Sequence, residues 1–164
     1  DQNHGSNSSI NVIYSGTMSA AMEGAIENIP SIGFSLSNYA LDANFEASKF
    51  YANKIASAVL KNGLPSNTLL NVNIPNLTKS KVKGIRICRQ ALAKWQEEFS
   101  ERLDPTHRKY YWLTGRFITE DDLEGTDEWA LQNGYISVVP SGHNLTRYQA
   151  IEPLRFLEYG EIVH

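Results

Sequence analysis

The sequence is short of the features that would place it quickly. One cysteine, Cys88, stands in 164 residues, which excludes an intramolecular disulfide framework and any metal site built from several cysteines. Its setting, GIRICRQAL, reads as a strand carrying an ordinary thiol. No apolar run approaches the roughly 18 residues of a membrane-spanning helix, so no membrane partner is expected. Basic residues are not in excess: 15 Lys and Arg against 18 Asp and Glu give a net charge of −3. That balance argues against wrapping a large nucleic acid. The histidines at 4, 107, 143 and 164 show no zinc-type spacing. No repeat, low-complexity linker or leader pattern is visible, and the N-x-S/T sequons at Asn7, Asn76 and Asn144 fit chance in a chain rich in Asn and Ser. The expected compartment is the cytoplasm.

What is present is ordinary for a globular domain, with 41% hydrophobic and 20% charged residues. After a loop-like start, Met18, Ala21, Met22, Ala25, Ile26 and Ile29 fall at helical spacing, and Pro30 marks the stop. SIGFSL (31–36) reads as a short buried strand. A second helix is predicted over 45–61, with Phe45, Ala52, Ile55, Ala56, Val59 and Leu60 as its stripe and Asn62-Gly63 as its end. LLNVNIP (69–75) reads as a strand in which apolar residues alternate with Asn, and KVKGIRICR (81–89) as another. Helix and strand alternating at these lengths point to βαβ units and a parallel sheet. Residues 91–103 and 108–117 then read as a long hairpin around DPTHRK, and 126–140 as a helical turn, a glycine stop and a last strand. Trp95, Trp112 and Trp129 are assigned to core and hairpin packing, and the apolar tail (Leu154, Phe156, Leu157, Tyr159) to docking.

The chemistry concentrates in the first 25 residues. Asn3, His4, Ser6 and Asn7 surround Gly5, where a backbone can approach a ligand closely. Ser15-Gly16-Thr17 precedes a helix whose first N–H groups lack internal partners and favour a phosphate or sulfate. The plain alternative is that Ser15 or Thr17 caps the helix and the Asn-rich loop is a turn. Asp121-Asp122 is an acidic pair, read as a solvated loop.

The order of these residues carries a resemblance. N-H-G-S-N, followed by Y-S-G-T-M-S-A-A-M-E-G, resembles the signature of the SurE (survival protein E) family, S-G-I-N-x-G-x-N then Y-S-G-T-V-x-A-A-x-E-G. IPSIGFSL, LLNVNIPNL and EGTDEWALQNGYISVVP resemble later family segments, so the likeness runs over nearly the whole chain. Ser9 stands where many members have glycine, and Ile10-Asn11 where they often have acids.

The resemblance implies an α/β fold: a Rossmann-like three-layer core with a projecting β-hairpin arm. It divides the chain into core (1–90), arm and returning strand (91–140) and a tail (141–164) that contacts another subunit. It implies a 5′-nucleotidase acting on nucleoside monophosphates with a divalent cation, Mg²⁺ or Mn²⁺, in a homodimer or tetramer. By position, Asn3 is the implied metal ligand, and Asn7, Ser15, Gly16 and Thr17 line the phosphate pocket. No catalytic acid is assignable: the family's Asp-Asp-Gly carboxylates, and a Ser that joins them, are expected upstream of Asp1. The alternative is a catalytically incomplete fragment that binds phosphate and oligomerises.

Overall fold

The computed structural model describes residues 3–4, 6–38, 45–119 and 123–159. Strand β1 (Asn3–His4) leads through a 3-10 segment (Ser9–Tyr14) into helix α1 (Gly16–Ile26), strand β2 (Ile32–Ser37), helix α2 (Glu46–Asn62) and strand β3 (Leu69–Pro75). Strand β4 (Ile85–Ile87), the hairpin β5 (Ala93–Leu103) and β6 (Lys109–Thr119), helix α3 (Asp127–Gln132) and strand β7 (Ile136–Ser141) follow. Short turns and α4 (Phe156–Tyr159) make the tail.

Five strands form one sheet in the order β1-β2-β3-β7-β4, and the hairpin forms its own two-stranded sheet. β1, β2 and β3 are parallel, joined by α1 and α2 as the βαβ reading expects. The rest of the sheet departs from that reading: β7 is antiparallel to β3 and parallel to β4. Residues 76–84 are too few for the dozen or more that a parallel crossover needs, so the chain turns back after β3. The returning strand β7 then fills the place between β3 and β4, and so lies inside the core sheet. The strand expected over 81–89 shortens to three exposed residues at the sheet edge.

Period-two alternation sorts the sheet into two faces. Leu36, Leu70, Val72, Ile74, Ile136 and Val138 pack with Tyr51, Ile55 and Val59 of α2. Each such side chain, fully buried, is worth about 1.5–3 kcal/mol. On the other face Met18, Ala21 and Ala25 of α1 gather with Val12 and Leu69. Cys88, Ala130 and Val139 form a third cluster, flanked by Trp129 and Tyr135. Burial pushes the Cys88 thiol above its ordinary pKa, which keeps it protonated and unreactive.

Both helical stripes are narrower than predicted. Ile26 and Ile29 are exposed because α1 stops at Ile26 and Asn28 turns the chain at a φ of 60°. In α2 the buried line is Ala47, Ser48, Tyr51, Ile55 and Val59, leaving Leu60 in solvent. Gly63 ends that helix at a φ of 75°, as the sequence suggests. The hairpin turn is closed by Asp104, whose Oδ1 accepts from the Thr106 and Arg108 backbone N–H groups at 2.7 and 2.9 Å. The Arg108 bond foremost, and then the hydrogen bond from the Thr106 hydroxyl, lower the pKa of its carboxyl from the ordinary value. Trp112 lies on an exposed stretch of the arm, edge-on to Tyr110, whereas Trp129 stacks on Tyr135. The tail's Leu154, Phe156 and Leu157 are exposed.

Gly33 is a point of close approach between β2 and α1. A Cβ there collides with the Met18 sulfur, and Met18 is completely buried. Gly33→Ala is expected to destabilise by about 1–3 kcal/mol through overpacking. Urea denaturation checks this, and a variant as stable as the parent contradicts it.

Candidate functional site

β3 brings asparagine into the core at two alternate positions, Asn71 and Asn73, both buried on the α1 side of the sheet. Strand register places Asn3, Ser35, Asn73, Ser137 and Arg86 along one rung across all five strands. A buried amide must be paired, and it offers both donors and an acceptor. The loop after β1 uses both. The Asn7 backbone N–H donates to Asn73 Oδ1 at 2.7 Å, and Asn71 Nδ2 donates to the Asn7 carbonyl at 2.9 Å. Asn7 Nδ2 donates to Ser35 Oγ at 2.6 Å, and Asn73 Nδ2 closes the set on Asn71 Oδ1 at 3.0 Å. Asn7 is thereby held from three sides and almost fully buried.

The next turn is held from α3. Ser9 has a φ of 54°, in the left-handed region that favours glycine. Its N–H donates to Asp127 Oδ2 at 2.7 Å, and its hydroxyl donates to the Ala91 carbonyl at 3.0 Å. Asp127 Oδ1 accepts from the backbone N–H groups of Ala91 and Glu128, both at 2.9 Å. One buried carboxylate thus joins the site loop, the root of the hairpin and the start of α3. Its place in the first turn, after the Thr126 cap, also suits the helix dipole. Ser8 Oγ donates to Glu128 Oε1 at 2.5 Å and also contacts Ser6 Oγ.

α1 begins beside this loop. Ser15 Oγ accepts from the Met18 N–H at 3.1 Å, so Ser15 is the N-cap that the plain reading of the sequence allows. A Cβ on Gly16 meets nothing within 4 Å, leaving the helix start open. Thr17 lies against Gly33, and Asn7 against Ser35, two positions along the same face of β2 and so about 7 Å apart along the strand. Asn3 pairs its backbone position with Ser35. The α1 start, Asn7 and the Asn3 position therefore border one region above β2.

The other candidates fall away from it. His107 sits in the exposed hairpin turn at a φ of 61°. Asp1, Asp121, Asp122 and His164 lie outside the described residues. Among the described residues no group of three or more His, Cys, Asp and Glu side chains is placed to hold a metal ion. Asn71, Asn73, Ser35 and Asp127 carry the arrangement, and none of them is among the candidate site residues that the sequence motifs single out. The available signals were asparagine at alternate positions of an apolar strand and an acid directly after a threonine cap.

The model of the family described as "Survival protein SurE" matches residues 2–97. The chain is 57% identical over 152 residues to the "5′-nucleotidase SurE" of Christiangramia forsetii, covering 93% of this chain and 58% of the relative. It is 59% identical over 152 residues to that of Flavobacterium psychrophilum, covering 93% of this chain and 59% of the relative. The crystal structure of the SurE protein from Aquifex aeolicus superposes with a TM-score of 0.81 at 40% identity, over 95% of this chain and 62% of that one. The chain spans about three-fifths of the length of the curated relatives it matches.

Asp127→Ala strips three backbone donors of their acceptor. Leaving buried donors unpaired costs about 1–3 kcal/mol each at most sites, so a loss of at least about 3 kcal/mol is expected in urea denaturation. Asn73→Leu, which frees one backbone donor and the Asn71 Oδ1 acceptor, is expected to lose less. Equal and small losses in both variants contradict this ranking.

Proposed function

This chain belongs to the SurE family, and from that membership and the site's geometry we propose that it carries the phosphate-binding part of a divalent-metal-dependent 5′-nucleotidase. The substrate is a nucleoside monophosphate, and the reaction is phosphomonoester hydrolysis. The observation that carries the reading is the three-sided hold on Asn7 beside an open helix start, because it fixes polar groups before any ligand arrives.

In this reading Asn7, Ser15, Gly16 and Thr17 receive the phosphate. The first N–H groups of α1 and the positive end of its dipole meet the non-bridging oxygens. No acidic residue stands in the first turn to oppose them. The Ser15 hydroxyl accepts from Met18 and still has a proton to donate. Donors fixed where charge develops in the transition state cost no reorganisation during reaction. Asn3 offers an amide oxygen of the kind hard cations such as Mg²⁺ or Mn²⁺ prefer. When bound, such a cation supplies charge neutralisation at the phosphoryl group. The carboxylates of such a site are the family's Asp-Asp-Gly pair, as the resemblance implies. The active form is proposed to be a cytoplasmic homodimer or tetramer using the arm, where Phe99, Tyr111 and Trp112 are exposed, and the tail. The second reading is a phosphate-binding and oligomerising part without turnover of its own, which the exposed apolar side chains of the arm and tail would serve.

The test is phosphate release from 5′-AMP with Mn²⁺ by the protein carrying this chain, with an EDTA control and Asn3→Ala. EDTA is expected to abolish release. Asn3→Ala is expected to lower it and to weaken Mn²⁺ binding measured by calorimetry, by about 10- to 100-fold or more. Metal binding and turnover unaltered by Asn3→Ala contradict the assignment, and phosphate binding without turnover favours the second reading.

A further inference from the structure

Strand β4 stands at the end of the five-stranded sheet. Its bonds to β7 use alternate residues: the Gly84 carbonyl accepts from the Ile136 N–H, and the Cys88 N–H donates to the Val138 carbonyl, both at 2.9 Å. In this register Arg86 shares that inner side. The N–H and C=O groups of Ile85 and Ile87 point outward, where no strand lies among the described residues. A row of free backbone groups is a template for one more strand.

The two faces of β4 differ. On the α2 side, Ile85 and Ile87 wall an apolar groove of about 280 Å³ with Ile55, Ala58, Leu70 and Val138, and Lys54 is the one charged residue that lines it. Ile87 is 70% exposed there. On the other side the Arg86 guanidinium lies 4.9 Å from the centre of the Tyr135 ring, and Lys83 Nζ lies 5.7 Å from it. Residues 79–89 hold Lys79, Lys81, Lys83, Arg86 and Arg89 and no acid, in a chain whose net charge is −3. Among the described residues, Lys54, Lys83 and Arg86 form no ion pair.

From this juxtaposition we propose that the β4 edge takes up an extended segment of a protein partner as an added strand, one in which apolar residues alternate with acids. The proposal is independent of the nucleotidase reading. Main-chain hydrogen bonds to Ile85 and Ile87 give such a strand its hold, and alternate side chains give it specificity. Its apolar residues lie beside Ile85 and Ile87 and close the groove, and its carboxylates lie beside Arg86 and Lys83. The cations also select the occupant. Charges on an edge keep copies of one chain apart, and a second β4 laid here sets cation against cation. A guard of that kind has no use for an apolar groove. A single-stranded nucleic acid needs a free aromatic platform beside the cations, whereas Tyr135 already carries Trp129 and Arg86 against its ring.

The probe is a fluorescein-labelled peptide of alternating valine and glutamate, titrated by fluorescence anisotropy against the protein carrying this chain. A valine–lysine peptide and oligo-uridylate are the controls. The glutamate peptide is expected to bind at least about tenfold more tightly than the lysine peptide and to slow amide exchange at Ile85 and Ile87. Arg86→Glu is expected to remove that preference. Ile87→Pro takes away an outward N–H while leaving the ladder to β7 intact, and is expected to weaken binding about tenfold. The exchange measurement uses the parent protein, so it stands whether or not either variant folds. No binding of the glutamate peptide, or binding that leaves Ile85 and Ile87 unprotected, overturns the proposal. Protection of these two amides by oligo-uridylate rather than by the peptide overturns it in favour of a nucleic-acid surface.

Discussion

The carboxylate of Asp127 is the point on which the described site depends. It accepts hydrogen bonds from Ser9, Ala91 and Glu128, three segments far apart in sequence. Hydrogen bonds to a charged group contribute about 1.5–3 kcal/mol each, more than neutral ones. A loop of Ser and Asn has little apolar surface to anchor it, so fixed polar partners must define its path. Asp127 fixes one end of that loop and the asparagines of β3 fix the other. The helix start then faces a loop of defined shape.

β3 makes this possible by being buried on both faces for different reasons. Its Leu70, Val72 and Ile74 side supplies hydrophobic stability against α2. Its Asn71 and Asn73 side gives up apolar burial to hold backbone groups of the loop. A polar network inside a core is tolerable only when its members are satisfied. The central asparagines are satisfied, whereas Ser37 and Ser137 on neighbouring strands are enclosed without partners. Stability and ligand chemistry are thus divided between the two sides of one strand.

Much of this was legible in the sequence. Gly63 marked the end of α2, the hairpin followed from alternation around DPTHRK, and the Y-S-G-T segment placed the start of α1, whereas α1 stops at Ile26, short of the Pro30 that marks its end in the sequence. The α/β class and its family followed from ordered motifs. Other features depended on long-range pairing. The direction of β7 is set by the short return after β3, which local propensity does not report. Leu60 and Ile26 fit their stripes by periodicity, yet only the packed sheet decides which side is buried. Asp127 looked like one acid among several, because what distinguishes it is a set of donors 36 and 118 positions away.

Amide hydrogen exchange at Asn7 and Ser9 tests the central claim most directly. If side chains of β3 and α3 hold this loop as firmly as the sheet, both N–H groups exchange only on global unfolding, with protection like that of Val72, and Asp127→Asn selectively releases Ser9. Exchange of both amides at the rates of the exposed hairpin turn would show that the loop opens independently of the core, and the account of a preformed cradle would be wrong.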